Sequence, residues 1–169
     1  MKRVGRFEKV SYPLFEEALK DDFGINEDEI RKIYDSIELP KRATAGSAGY
    51  DFHTPVDIHL MPGQTLKIPT GIRAKMDEDW VLLIFPRSGL GFKYRLQLNN
   101  TVGVIDSDYY DSDNEGHIFI KITNDSNEGK TVDVAAGGGF AQGIFMPYGI
   151  TEDDDTSGLR NGGFGSTGA

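Results

Sequence analysis

VDIHLMPGQTLKIPTGIRAKM, residues 56–76, decides the fold. Val56, Ile58 and Leu60 alternate with Asp57 and His59; Leu66 and Ile68 flank Lys67; Ile72, Ala74 and Met76 flank Arg73 and Lys75. A period of two places one set of side chains on a core and the other in solvent, which is the pattern of half-buried strands. Pro62-Gly63 is a turn between two of them. Working outward, Trp80–Phe85 is a continuous apolar run and reads as a strand buried on both faces. Ile118, Ile120 and Ile122 alternate again, as do Val132 and Val134, and Gly143–Met146 adds one more strand. Many short strands separated by turn signals predict an all-β, jelly-roll-like β-barrel over residues 39–150.

Before Leu39-Pro40 the pattern is helical. Ser11 is placed to cap a helix through Leu14, Phe15, Ala18 and Leu19, with Gly24 as its stop. Asn26 with Glu29 resembles a capping box, and Ile30, Ile33, Tyr34 and Ile37 share one helical face. Residues 1–38 are thus expected to form a short α-helical N-terminal extension whose apolar faces pack on the barrel or on a neighbouring subunit. After Met146 regularity ends. TEDDDTSG at 151–158 is an acidic linker and RNGGFGSTGA at 160–169 a glycine-rich tail, so residues 151–169 are expected to be a flexible C-terminal arm.

Composition narrows the function. The chain has 169 residues, enough for one domain with a real core, and a net charge of −9. That charge argues against a sequence-independent nucleic-acid binder, which needs a basic face, but leaves room for an anionic small ligand held by local arginines. The absence of cysteine excludes disulfides, zinc thiolates and thiol nucleophiles. His53, His59 and His117 fit no zinc spacing. No apolar run reaches the length of a signal peptide or a membrane span, so a cytoplasmic protein without membrane contact is expected.

The chemistry concentrates in NTVGVIDSDY, residues 100–109. Taken alone, Asp106 reads as a surface turn residue; in the other reading, a carboxylate fixed at a strand end is a general base able to take a proton from an attacking water. Asp108 is the competing candidate for that role. Tyr109 reads as a half-buried aromatic, and Asn100 either as a turn residue or as an amide matched to an imide edge. PRSGLGFK at 86–93 reads as a loop after the apolar run or as an anion site: Arg87 brings charge, Ser88 a hydroxyl, and Gly89 close backbone approach. Gln142 in GGGFAQ (137–142) offers an amide donor.

Five segments together resemble the trimeric deoxyuridine triphosphatase family: LPKRATAGSAGYDF (39–52), PRSGLGFK, NTVGVIDSDY, GGGFAQ and RNGGFGSTG (160–168). The resemblance covers residues 39–169. It implies hydrolysis of dUTP to dUMP and diphosphate, with Asp106 holding the water for in-line attack on the α-phosphate. It further implies that Asn100, with Gly103 and nearby backbone of a β-hairpin, reads uracil, and that Tyr109 excludes a 2′-hydroxyl. Arg87, Ser88, Gly89, Gln142 and Arg160 would meet the phosphates, with Asp51 ordering that region from behind. Phe164 would stack on the base, and Gly165, Ser166 and Thr167 would contact phosphate as the arm covers a neighbouring subunit's site. Mg²⁺ would be held through the triphosphate and waters, not by protein ligands alone. Two departures stand out: Gly138 and Gly139 replace the family's acidic-plus-Arg pair, and the Arg160–Phe164 spacing is one residue short. The rival readings are a dCTP deaminase of the same fold, and a nucleotide-sensing regulator that binds a protein partner through residues 1–38 or the acidic loop 110–116.

Overall fold

The computed structural model describes residues 1–158 and 160. The chain begins with strand β1 (Gly5–Lys9) and helices α1 (Tyr12–Phe23) and α2 (Glu27–Ser36). Strands β2 (Lys41–Arg42), β3 (Tyr50–His53), β4 (Ile58–Leu60), β5 (Thr65–Pro69), β6 (Ile72–Met76) and β7 (Trp80–Pro86) follow. A short helix, α3 (Ser88–Tyr94), leads to β8 (Leu96–Leu98) and β9 (Gly103–Ile105). A 3-10 turn at Ser107–Asp111 precedes β10 (Phe119–Asn124), β11 (Val132–Val134) and β12 (Gly139–Pro147). The chain is therefore mostly β with few helices. Its strands form a five-stranded sheet in the order β2-β3-β12-β7-β9, a three-stranded sheet β5-β10-β8, and the pairs β11-β4 and β1-β6.

Most of the alternation read in residues 56–76 is realised: Ile58, Leu60, Ile68, Ile72, Ala74 and Met76 are buried in one core with Phe52, Leu82, Ile84, Ile118, Ile120, Ile122 and Phe140, whereas Leu66 is only partly buried against it and Val56 is buried in a second cluster. The run Trp80–Phe85 differs from expectation. Only Leu82 and Ile84 are buried, whereas Val81, Leu83 and Phe85 are partly exposed. The outer face of the sheet continues this apolar row, because Ile144 pairs with Leu83 and Leu83 with Val104, and Val104 is 57% exposed. A single chain covers one face of β7 and leaves the other uncovered.

The N-terminal reading also needs correction. Gly5–Lys9 is a strand, not helix or tail, and it pairs antiparallel with β6 from Gly5↔Met76 to Lys9↔Ile72. Phe7 is the reason: it is buried and packs edge-on to Phe52, 5.6 Å between ring centroids, so the segment joins the main core. Ser11 sits at the N-cap of α1 without a side-chain cap bond; its N–H instead donates to Glu115 Oε2 at 2.7 Å. Asn26 does cap α2, accepting from the Glu29 N–H at 3.0 Å.

The apolar faces of both helices close on the same chain. Val10, Phe15, Leu19, Ile30 and Val56 form a second buried cluster, and Ile37 touches both clusters. Gly71 makes this contact possible. It has φ +71°, and a Cβ there would lie 2.5 Å from Ile37 Cδ1 and 3.1 Å from Phe15 Cδ2. Only glycine suits both that backbone and that approach. Among the described residues, no helix is long and apolar enough to cross a membrane.

His117 locks this seam. It is 2% exposed, its Nε2 accepts the Gly71 N–H at 2.9 Å, and its ring lies near Phe119 and Phe15. Accepting at Nε2 requires the proton of the neutral ring to sit on Nδ1. Burial pushes the imidazole down from 6.5 to about 4, against the raising effect of Glu115. The unfolded chain therefore binds more protons between those values, so this group's stability contribution is complete above pH ~6.5 and is lost as pH falls towards ~4. The full span corresponds to about 3 kcal/mol. His117→Gln is expected to remove that acid-side slope. Chemical denaturation of both proteins at pH 7, 6 and 5 checks it, and parallel pH profiles would refute the assignment.

Candidate active site

The end of β9 feeds directly into the 3-10 turn, and this turn sets the geometry of the carboxylates. Asp106 is its N-cap, in extended conformation, and Asp108 lies in its first turn. Both side chains converge on the same guanidinium. Arg160 Nη2 is ion-paired with Asp106, and Arg160 Nε lies 3.0 Å from Asp108 Oδ1. Arg160, expected at a phosphate, rests on these two carboxylates. Asp106 keeps 44% of its side chain exposed, which leaves oxygen surface for a water. These residues line a cavity of about 600 Å³ with Lys75, Tyr110 and Tyr148.

A second cavity, of about 770 Å³ and mainly apolar, is lined by Ile84, Leu98, Asn100, Gly103, Asn114 and Phe119 among others. Asn100 stands in a turn in which Thr101 N–H donates to Leu98 O and Val102 N–H to Asn100 O. The expected β-hairpin is not a ladder of two adjacent strands: β8 pairs with β10 and β9 with β7, so the turn bridges two sheets.

Tyr109 lines neither cavity but lies behind a wall residue of each, Asn114 and Arg160. It is 2% exposed, more deeply buried than the half-buried aromatic the sequence suggested. Its hydroxyl donates to His117 O at 2.7 Å and accepts from Asn114 Nδ2 at 2.8 Å. Asn114 lines the apolar cavity, while the Arg160 guanidinium, which lines the polar one, lies 5.9 Å from the Tyr109 ring centroid. Burial pushes the phenol up, so it stays protonated and keeps donating.

The remaining candidates gather elsewhere on the five-stranded sheet. Gln142 on β12 pairs with both Asp51 on β3 and Phe85 on β7, which puts it in one row with Asp51. Arg87 Nε lies 3.4 Å from Asp51 Oδ1, so the carboxylate partner of Arg87 is Asp51. Gln142 Nε2 lies 3.4 Å from Pro86 O. Gly139 gives Arg87 its place, because a Cβ there would sit 2.6 Å from Arg87 Nη1. The chain thus fills with Arg87 the space that a side chain at 139 would need. Arg87 is the N-cap of α3, and Ser88 and Gly89 are its first residues, so the expected loop is a short helix. Phe164, Gly165, Ser166 and Thr167 lie outside the described residues.

Sequence reasoning missed Asn114, Lys75 and Tyr148. Asn114 sits in a loop that reads as solvated acid, and Lys75 on the polar side of a strand; neither has a local signal, because only the tertiary fold brings them to a cavity wall.

The sequence model described as dUTPase matches residues 35–168. This chain belongs to the dUTPase family. The deoxyuridine 5′-triphosphate nucleotidohydrolase of Lactococcus lactis subsp. lactis (strain IL1403) is 43% identical over 136 residues, which cover 79% of this chain and 89% of that protein. Among solved structures, the dUTPase from Streptococcus mutans superposes with a TM-score of 0.63 at 34% identity, covering 87% of this chain and 98% of that one. A variant of the dUTPase from phage phi11 of S. aureus, described for its coordination of a structural Mg(II) ion, matches at TM-score 0.58, covering 72% and 90% of the two chains. At 23% identity that likeness concerns the fold alone. The dUTPase family match begins at residue 35, so β1, α1 and most of α2 lie outside it.

Proposed function

We propose that this chain hydrolyses dUTP to dUMP and diphosphate by in-line attack of water on the α-phosphate, limiting uracil in DNA and supplying dUMP. Family membership carries the reaction. An apolar cavity with Asn100 and Gly103 and a polar cavity with Asp106 and Arg160, whose wall residues Asn114 and Arg160 both neighbour Tyr109, support the pose. A nucleotide has the same order: base, sugar, phosphate. In this reading uracil enters beside Asn100 and Gly103, the deoxyribose stands at Tyr109, and the α-phosphate meets water held on Asp106. Proton transfer to a positioned carboxylate typically contributes ~10²–10⁴-fold. Arg160 leaves Asp106 and Asp108 for phosphate oxygens when the more highly charged triphosphate arrives, which frees the base.

The set Asp51, Arg87, Ser88, Gly89 and Gln142 completes the site from a neighbouring subunit of a homotrimer. The uncovered apolar row of Leu83, Val104 and Ile144 supports such assembly, since one chain leaves it facing water. The strands then form the jelly-roll-like barrel, with the N-terminal helices as its extension. The arm beyond Arg160 brings Phe164 to the base and Gly165, Ser166 and Thr167 to phosphate. Among the described residues no group of three or more His, Asp or Glu side chains converges to cage a metal. The oxygen donors near the site are separate carboxylates, a set that fits a hydrated Mg²⁺ carried on the triphosphate, with Asp51 placed to order its waters. Bound in this way, Mg²⁺ neutralises phosphate charge.

Diphosphate release measured side by side for dUTP, dCTP, dTTP and UTP tests the reading. Turnover confined to dUTP is expected. Ammonia release from dCTP would instead identify the deaminase, and no turnover of any of the four would overturn hydrolysis.

A further inference from the structure

The polar cavity beside Asp106 has an unusual charge balance. Glu78, Asp106, Asp108 and Asp111 line it against two cations, Lys75 and Arg160. Arg160 is committed to Asp106 and Asp108. Among the described residues, Lys75 makes no ion pair, and its Nζ lies 5.4 Å from the Tyr110 ring. Lys75 therefore meets an incoming anion without first breaking an ion pair, as Arg160 must.

Its surroundings add positive charge. On β1, Arg6 stands directly opposite Lys75 in the ladder. Like charges placed directly across a sheet destabilise it, so this pairing has a cost in stability that Glu8, ion-paired with Arg6 at 2.5 Å, offsets only in part. A smaller hollow of about 250 Å³, lined by Arg3, Arg6, Lys75, Met76 and Asp77 among others, shares Lys75 and Met76 with the Asp106 cavity, and Asp77 is itself paired with Lys2. The two spaces meet at Lys75. The strand that contributes Arg6, and Arg3 before it, lies outside the family-matched residues 35–168.

We infer that Lys75, reinforced by Arg6 and Arg3, forms an anion-binding lip for the outer phosphates of the substrate and for the leaving diphosphate. The inference rests on the proposed hydrolysis and names a binding element outside the five motifs. A lysine suits the task because its ammonium is a compact point charge that follows a mobile phosphate without a fixed fork geometry. The lip also balances a cavity whose carboxylates would otherwise repel a polyphosphate.

The test compares the full-length protein with Lys75→Met and Lys75→Arg. Calorimetric titration with inorganic diphosphate is expected to show about tenfold weaker binding for Lys75→Met and near-normal binding for Lys75→Arg, the loss of one charge-assisted contact. Binding of dUMP should move less than about twofold, since dUMP has no outer phosphates. With dUTP, KM should rise more than kcat falls. Unchanged diphosphate binding in Lys75→Met, no diphosphate binding by the wild type, or equal losses for dUMP and diphosphate would each overturn the lip. If the wild type binds diphosphate through Lys75 but turns over no dUTP, the hydrolysis reading fails and the lip stands.

Discussion

Replacing Asp106 by Asn is expected to lower kcat for dUTP by about 10²–10⁴-fold while dUTP still binds. The amide keeps the size and much of the hydrogen-bonding capacity of the carboxylate, but it cannot take the proton of the attacking water. It also weakens the pair with Arg160, which leaves the Asp108 contact at 3.0 Å to hold the guanidinium. Nucleotide affinity should therefore hold or increase, because less competes with phosphate for Arg160. Single-turnover kinetics and equilibrium binding of dUTP separate the two effects. Wild-type kcat in this variant would remove Asp106 from the role of base. Asp108→Asn is the control: it shares Arg160 but lies further along the turn, and it should cost far less.

Phe15→Ala is expected to destabilise the fold by about 3–5 kcal/mol, the usual cost of emptying a fully buried aromatic site. Phe15 is 0% exposed, packs against Tyr34 at 5.7 Å between centroids, and closes over Gly71. For a chain of this length that loss lowers Tm by roughly 6–20 °C. A shift of only a degree or two in thermal unfolding would mean that the helices dock loosely on the barrel. Partner readings of residues 1–38 are constrained by the same packing. The apolar faces of α1 and α2 are used within the chain, so a protein partner would meet their polar faces instead.

The strands over residues 56–76 were legible because side-chain period two is local: each residue's face follows from its position alone. The cap at Asn26 was legible for the same reason, since its partner Glu29 is three residues away. β1 was not legible. Its pairing partner lies more than sixty residues along the chain, and its commitment to the sheet comes from Phe7 reaching a core built by later strands. Trp80–Phe85 looked buried on both faces because composition does not distinguish cover supplied by the same chain from cover supplied by another.

The site divides along the same line. Candidate residues were identified by type and order, which are properties of the chain. Their grouping was not. Asp106 and Asp108 are joined through Arg160, more than fifty residues along the chain, and Arg87 reaches Asp51 across a glycine at 139 on β12. The sequence by itself determined a mostly β chain, its main core and the candidate reactive groups, since these depend on periodicity and side-chain chemistry. The tertiary structure alone decided which charges neutralise one another, that Tyr109 is fully buried and not half-buried, and that Lys75 faces the same cavity as Asp106. Those facts depend on long-range pairing between strands, and no local pattern encodes it.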